Sequence, residues 1–170
     1  MIIRKATIDD WSGISRVHVD CIQSAYKEIF PSEILDNFTY VSREKRWKKD
    51  LPNTIKKGTM TYVAQDQTGE IIGFTLGGTM RDPRLRIGYL GEIYGLYVHP
   101  KYQKQGIGKK LFTSISHYFT SLEFPSLAVW TFDSHSSEDF FQHLGGKKIY
   151  DKKTTIGGKE LKENAYGWDI

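Results

Sequence analysis

One segment constrains the fold of this chain more than any other: an apolar strand that runs into a polar loop and then into a helix. Residues 87–98 are apolar almost without interruption, which predicts a strand in the middle of a sheet. Residues 103–108 read Gln-Lys-Gln-Gly-Ile-Gly, and from Ile107 onward the apolar residues recur at helical spacing. A strand joined to a helix in this way is typical of a mixed α/β fold.

The start of this helix is suited to bind an anion. The first turn of a helix leaves backbone N–H groups without partners and carries a partial positive charge, and a diphosphate satisfies both. Gly106 and Gly108 have no side chain to keep phosphate oxygens away from the main chain. Four lysines add positive charge, at Lys101, Lys104, Lys109 and Lys110. The segment predicts a diphosphate site, although a glycine pair before a helix also occurs in simple tight turns.

Two common nucleotide-binding motifs do not account for the loop. A dinucleotide fingerprint needs a third glycine at the position that Leu111 holds. A Walker-type loop needs two glycines with four residues between them, followed by Lys and then Ser or Thr, and no segment of the chain fits.

The rest of the chain alternates between helical and strand patterns. Its length of 170 residues favours one domain, spanning residues 1–170. Helices are predicted after residue 7, near residues 31–33, over 42–50, from 107 and over 133–144. Strands are predicted over residues 1–6, 59–65, 71–79, 87–98, 126–132, 147–155 and 161–170. This order predicts an α/β (α+β) domain with a largely antiparallel sheet.

Charge and cysteine content narrow the classes of partner. A net charge of +4 favours anionic partners, but no nucleic-acid-binding motif is present and no apolar run reaches the length of a membrane span. The single cysteine, Cys21, excludes an internal disulfide and a cysteine-based metal cage. The five histidines lack metal-ligand spacing and are predicted to be surface or capping residues. We expect a cytoplasmic protein without a metal, a membrane anchor or a nucleic-acid partner.

The loop fits the pattern Gln/Arg-x-x-Gly-x-Gly/Ala, as Gln103-Lys104-Gln105-Gly106-Ile107-Gly108. Together with the preceding strand and the order of elements along the whole chain, it resembles the GNAT superfamily of N-acetyltransferases, in its small single-domain bacterial form. The resemblance implies a central sheet of about seven strands, flanked by about four helices and splayed between strands 4 and 5. It also implies that acetyl-CoA donates an acetyl group to a primary amine.

The resemblance places the acetyl-CoA contacts along three segments. The main chain of Leu96, Tyr97 and Val98 would pair with the pantetheine arm, and one N–H there would stabilise the thioester oxyanion. The diphosphate would be held by Gln103, Lys104, Gln105, Gly106, Ile107, Gly108 and Lys109. Further contacts would come from Ser134, Ser137 and Phe141, where many members have Asn, a small residue and Tyr. A Phe in place of that Tyr cannot protonate the departing thiolate.

The catalytic base implied by the resemblance is Glu92, eleven positions before Gln103. A carboxylate there could take the proton that an alkylammonium must lose before it attacks. An acid that faces solvent or pairs with an arginine is the alternative. Tyr26 and Trp47 fall where the family builds its acceptor pocket, although helical aromatic residues are more often core. The basic loop at residues 81–86 is either solvated or selects an acidic acceptor.

Two functions are consistent with these features. The first is an N-acetyltransferase that acts on a small-molecule or peptide amine by direct attack in a ternary complex. The second is a non-catalytic module of the same fold that binds or senses acyl-CoA, which the residues Ser134 and Phe141 favour. Many members of the family form dimers, so a homodimer is an expectation of the same resemblance.

Overall fold

The computed structural model of the chain describes residues 1–133 and 135–170. The elements follow one another as β1 (Ile2–Lys5), α1 (Trp11–Ala25), α2 (Ser32–Asp36), α3 (Tyr40–Lys56), β2 (Met60–Gln65), β3 (Ile71–Thr79), β4 (Gly91–Val98), α4 (Ile107–Ser121), β5 (Ser126–Phe132), α5 (His135–His143), β6 (Lys147–Ile156) and β7 (Lys159–Asp169). Short 3-10 turns precede α1 and follow β4. Five helices are present in this part of the chain, one of them a five-residue helix.

The seven strands form one sheet in the order β1-β2-β3-β4-β5-β7-β6. All neighbouring pairs are antiparallel except β4 and β5. These two parallel strands pair only from Gly91 with Leu127 to Ile93 with Val129. Beyond Ile93, the edge of β4 that faces β5 has no strand partner among the described residues, so the sheet opens there. The predicted fold class, including the splay between strands 4 and 5, is confirmed.

Helices cover both faces of the sheet because alternate strand residues point to opposite sides. On β2, Val63 packs in a cluster with the apolar faces of α1 and α3, whereas Ala64 packs in a cluster with α4. A third cluster joins α4 and α5 to β4, β5 and β7. The two faces are therefore closed by different helices, and the gap between β4 and β5 connects them.

The fourth strand begins later than its apolar sequence suggests. It was predicted over residues 87–98, but β4 starts at Gly91 and the residues before it form a loop. Ile87 is 97% exposed in that loop, whereas Leu85 is buried beneath β5 and β7. The ring of Tyr89 lies where a side chain on Gly167 would be, 2.4 Å from its Cβ position. The apolar run therefore contains a packed loop followed by a strand. Hydrophobic periodicity alone does not distinguish the two.

A bulge distorts β4 next to the gap. Leu76 pairs with Gly95 and Gly77 with Ile93, so Tyr94 has no partner on β3. A Cβ on Gly77 would lie 2.5 Å from the main-chain oxygen of Glu92, so a glycine is required at this position. Bulges bend a strand and re-aim side chains near functional sites. Here the bulge follows directly after Glu92 and Ile93.

Candidate active site

The loop after β4 runs directly into the first turn of α4, so that backbone N–H groups of both lie close together. Gly106 is the N-cap residue of the helix and has φ +76°, and Lys104 is also left-handed at φ +59°. Residues 103–106 are all exposed, so the main chain here is accessible. A left-handed residue followed by a helix start turns successive N–H groups toward one point, which is an arrangement that binds anions.

Gly108 has a packing role as well as an open backbone. A Cβ at this position would lie 2.9 Å from the ring of Phe140 on α5. The absence of a side chain therefore lets α5 approach the start of α4. The sequence had suggested only the approach of phosphate oxygens as the reason for this glycine.

A cavity of about 1730 Å³ joins the loop to the gap in the sheet. Pockets for a single drug-sized ligand are typically ~300–1,000 Å³, so this cavity has room for two molecules side by side. It is lined from the α5 face by Ser137 and Phe141 and from the α1 face by Cys21 and Tyr26. It therefore passes through the sheet where β4 and β5 separate.

Most of the site residues proposed from the sequence meet in this cavity. Its lining includes Tyr26, Glu92, Leu96, Tyr97, Val98, Gln103, Lys104, Gly106, Ile107, Gly108, Lys109, Ser137 and Phe141. Gln105 does not line it, and its side chain instead donates to the main-chain oxygen of Lys101 at 3.4 Å. Ser134, proposed as a pantetheine contact, lies outside the described residues.

The end of β4 is anchored to both α1 and the loop. The main-chain oxygen of Val98 accepts from the Cys21 thiol at 3.2 Å and from Gln103 Nε2 at 3.0 Å. Burial raises the pKa of Cys21 to about 12, so the sulfur stays a neutral thiol. These contacts position the last residues of β4 relative to the loop, with the strand edge toward β5 left open.

Glu92 lies at the other end of the cavity and is paired with an arginine. Its side chain is 4% exposed. Arg81 donates to Oε2 from its main-chain N–H at 2.8 Å and from Nε at 3.2 Å, and to Oε1 from Nη2 at 2.8 Å. A carboxylate offers about four lone-pair positions, so one position on Oε1 is unused by these contacts. The pairing with an arginine, which the sequence left as an alternative, is present.

Residues 21–145 match the profile of the Acetyltransferase (GNAT) family. The chain belongs to the GNAT family of acetyltransferases. It is 32% identical over 166 residues to YuaI, an uncharacterized N-acetyltransferase of Bacillus subtilis (strain 168), covering 98% of this chain and 91% of the relative.

Solved structures of GNAT proteins share the fold over the whole chain. The ribosomal-protein-alanine N-acetyltransferase of Brucella melitensis superposes with a TM-score of 0.78 at 20% identity and covers 100% of both chains. A GNAT superfamily phosphinothricin acetyltransferase of Sinorhizobium meliloti, solved in complex with AcCoA, gives a TM-score of 0.75 at 22% identity. It covers 99% of this chain and 88% of that one.

In this GNAT chain, a charged cluster borders the end of the cavity near Glu92. Asp82 accepts from Arg84 Nε at 2.9 Å and from Nη2 at 2.6 Å. These hydrogen bonds hold the pKa of Asp82 at about 2. The ammonium of Lys152 lies 3.7 Å from Asp82, 3.4 Å from Glu163 and 3.9 Å from the ring centre of Trp130. The cluster fixes the orientation of both cationic side chains.

An aromatic group closes the cavity on the α1 side. Tyr26 stacks on Phe30 with ring centres 4.8 Å apart, and Phe132 meets both rings edge to face. Burial raises the pKa of Tyr26 to about 12 and raises that of Tyr97 further. Both hydroxyls are therefore poor proton donors to a thiolate, and Phe141 has no proton to give.

Trp47, proposed as a substrate contact, lies in the core and not in the cavity. Its indole N–H donates to His18 Nδ1 at 3.1 Å. His18 packs among Phe38, Phe74 and Tyr97, and burial lowers its pKa to about 4. The prediction that every histidine is a surface or capping residue is therefore wrong for His18. It holds for His99, whose Nδ1 caps the turn after β4.

The sequence did not identify several residues that line the cavity. The main ones are Asp82, Trp130, Phe132, Lys152 and Glu163. Arg81 was noticed only as part of a basic loop. No sequence pattern indicated its contact with Glu92, because Gly78 is the residue that pairs with Glu92 and Arg81 lies in the loop after β3.

Across residues 1–133 and 135–170, no group of three or more His, Cys, Asp or Glu side chains is arranged to hold a metal ion. No helix within the same residues is both long enough and apolar enough to cross a membrane.

Proposed function

We propose that this protein transfers the acetyl group of acetyl-CoA to a primary amine by direct attack in a ternary complex. The observation that carries the proposal is the single cavity that links the anion-binding loop to Glu92 through the gap between β4 and β5. Relatives support the choice of cofactor, since the Sinorhizobium meliloti structure is a complex with AcCoA.

The loop would hold the diphosphate of CoA. Backbone N–H groups from residues 103–109 would bind the phosphate oxygens, and Lys104 and Lys109 would add charge. The pantetheine arm would lie along the open edge of Leu96, Tyr97 and Val98, with Ser137 and Phe141 across the cavity. One main-chain N–H of this edge would stabilise the oxyanion that forms on the thioester carbonyl.

Glu92 would act as the general base. The amine nitrogen attacks the thioester carbon, a C–N bond forms, and the C–S bond breaks to release CoA as a thiolate. The proton lost by the amine passes to the unused position on Glu92 Oε1, directly or through a water molecule. Arg81 would keep this buried carboxylate oriented throughout.

No side chain is assigned as general acid. Tyr26 and Tyr97 line the cavity but have raised pKa values, so each hydroxyl would be a weak acid. The thiolate of CoA is a fair leaving group. It would take a proton from solvent, or the proton that the amine has lost.

One observation favours a second candidate, a module that binds acyl-CoA without turnover. Glu92 is already engaged by three hydrogen bonds from Arg81, and a base in that state is less available to a substrate. This candidate has the same acetyl-CoA site. It differs only at the end of the cavity near Glu92, called the acceptor end below, where no amine would react.

One assay separates the two candidates: release of free thiol from acetyl-CoA across a library of amines, with acetyl-CoA alone as the control. We expect thiol release above the control with a subset of amines, together with a product heavier by one acetyl group. Binding of acetyl-CoA without release for any amine would support the sensing module. Absence of binding would contradict both candidates.

A further inference from the structure

The acceptor end of the cavity is bordered by two arginines that are held in place by carboxylates. Arg81 is paired with Glu92 and also stacks on Tyr94, with its guanidinium carbon 3.7 Å from the ring centre. Arg84 is paired with Asp82. Both arginines line the cavity, and their side chains are 62% and 44% exposed. They are therefore oriented in advance yet accessible to a ligand.

The two carboxylates that pair with these arginines, Asp82 and Glu92, have little capacity left to accept hydrogen bonds. Oδ1 of Asp82 accepts from the main-chain N–H and Nε of Arg84, and Oδ2 accepts from Nη2 and lies beside Lys152. Three of its four lone-pair positions thus accept hydrogen bonds, and the fourth lies beside the ammonium of Lys152 at 3.7 Å. Glu92 has one position left, the one that the proposed reaction needs.

The cations, in contrast, have donors to offer. A guanidinium carries five N–H groups. The pair of Arg81 with Glu92 and the pair of Arg84 with Asp82 use only Nε and Nη2 of each guanidinium, so neither carboxylate occupies Nη1. Two exposed arginines at this end of the cavity therefore have N–H groups available to a ligand. An anionic oxygen pair satisfies such donors best.

We propose that the acceptor is an amine that also carries a carboxylate, as in a free amino acid, and that Arg81 and Arg84 bind this carboxylate. This inference rests on the proposed function and names the acceptor class for it. Arg81 would then hold the substrate carboxylate on its Nη1 edge and Glu92 on its other edge. The amine would be placed near the remaining lone pair of Glu92 Oε1.

The geometry also explains how Arg81 could bind Glu92 and a substrate carboxylate at the same time. The guanidinium contacts Glu92 with Nε and Nη2 only, so a ligand on Nη1 does not displace the carboxylate. Lys152, which lies against Trp130, adds a third cation beside the same end of the cavity. An amine without a carboxylate would make no hydrogen bonds to the Nη1 groups of the two arginines and would gain no affinity from them.

The test compares amino acids with their carboxamides as acceptors, using the same thiol-release assay with the full-length chain. The two members of each pair have the same side chain and differ in the anionic group and in the basicity of the amine. The amine of the amide is less basic and is more often neutral, so intrinsic reactivity favours the amide. We expect kcat/KM to be at least about tenfold higher for the acids, because hydrogen bonds to charged groups are strong.

Two variants make the test specific. We expect Arg84→Gln to raise KM for the acids about tenfold and KM for the amides much less, and so to narrow the difference in kcat/KM between acids and amides. Lys153→Gln removes an exposed cation from the neighbouring position on β6, outside the cavity, and should keep this difference. Acetyl-CoA melting shifts check that both variants fold.

The outcomes distinguish this inference from the proposed function. Equal use of acids and amides, or a preference for amides, overturns the inference and leaves the acetyltransferase proposal standing. The inference is also overturned if Arg84→Gln and Lys153→Gln lower activity on acids alike. Absence of turnover with every amine overturns both.

Discussion

Arg81 contacts the carboxylate of Glu92 at two side-chain positions, with Nη2 2.8 Å from Oε1 and Nε 3.2 Å from Oε2. The two residues are eleven positions apart in sequence and meet because β3 and β4 are antiparallel neighbours. A buried charge without a partner is costly, so Arg81 compensates the carboxylate while fixing its direction. The base that we propose is thus held in place by the loop that borders the acceptor end.

The first prediction concerns the base itself. We expect Glu92→Gln to lower kcat by about 10²- to 10⁴-fold, because an amide cannot accept a proton. Its remaining activity should rise with pH, as the fraction of neutral amine increases toward the pKa of the acceptor amine. Steady-state kinetics across pH, beside an acetyl-CoA binding titration, provide the measurement. Full activity at neutral pH would assign the base elsewhere.

The second prediction concerns the anion-binding loop. Gly106 and Gly58 have nearly the same conformation, φ +76° and +77°, and a Cβ at either position would meet nothing within 4 Å. Replacing either by Ala should therefore cost similar stability, about 1–2 kcal/mol for a left-handed residue. Only Gly106→Ala should also weaken acetyl-CoA binding, since only Gly106 lies at the helix start.

Gly58→Ala is the matched control for this comparison. Thermal melting measures the common loss of stability, and calorimetric titration measures acetyl-CoA affinity. If the two variants lost affinity equally, or neither lost any, the loop would not be the diphosphate site.

The third prediction concerns acid stability. Burial lowers the pKa of His18 from 6.5 to about 4, with Arg43 and Arg46 contributing. Between pH 6.5 and pH 4, His18 is protonated in the unfolded chain but remains neutral in the folded chain. Stability should therefore fall as the pH drops from 6.5 toward 4, by about 3 kcal/mol at most, and this contribution should be fully present above pH 6.5.

His18→Gln should flatten this part of the stability profile, because its amide does not titrate and can still accept from Trp47. His117→Gln, on the exposed side of α4, serves as control and should leave the profile unchanged. Urea unfolding at several pH values measures both. An identical slope for His18→Gln and the unaltered protein would contradict the burial argument.

The fourth prediction separates direct transfer from an acyl-enzyme. Cys21 lines the cavity, but its pKa of about 12 leaves almost no thiolate at neutral pH. We expect Cys21→Ala to retain kcat/KM within about threefold, with a modest loss of stability from the missing contact to Val98. Intact mass spectrometry after incubation with acetyl-CoA should show no acetyl group on Cys21. A stable acetyl adduct there would contradict direct attack.

The fold was predictable from sequence because its signals are local. Helical spacing from Ile107 and the glycines at 106 and 108 identify a strand–loop–helix unit without any knowledge of the remaining chain. The start of β4 was not predictable in this way. Ile87 and Leu85 both read as apolar, but one is exposed and the other is buried by tertiary contacts with β5 and β7.

The acceptor end was the least predictable part of the site. Lys152 and Glu163 reach it from the last hairpin, and Trp130 reaches it from β5, so only the sheet order brings them together. Trp47 shows the opposite case. The family resemblance suggested a substrate contact for Trp47, yet its partner His18 is 29 residues away and holds it in the core.

The central claim is that main-chain N–H groups at the start of α4 hold the diphosphate of acetyl-CoA. Thermal melting with acetyl-CoA and with S-acetylpantetheine, which lacks the diphosphate, tests it most directly. We expect acetyl-CoA at ~100 times its Kd to raise Tm by about 5–10 °C, and S-acetylpantetheine at the same concentration to have little effect. An unchanged Tm with millimolar acetyl-CoA, or equal shifts with both compounds, would contradict the account.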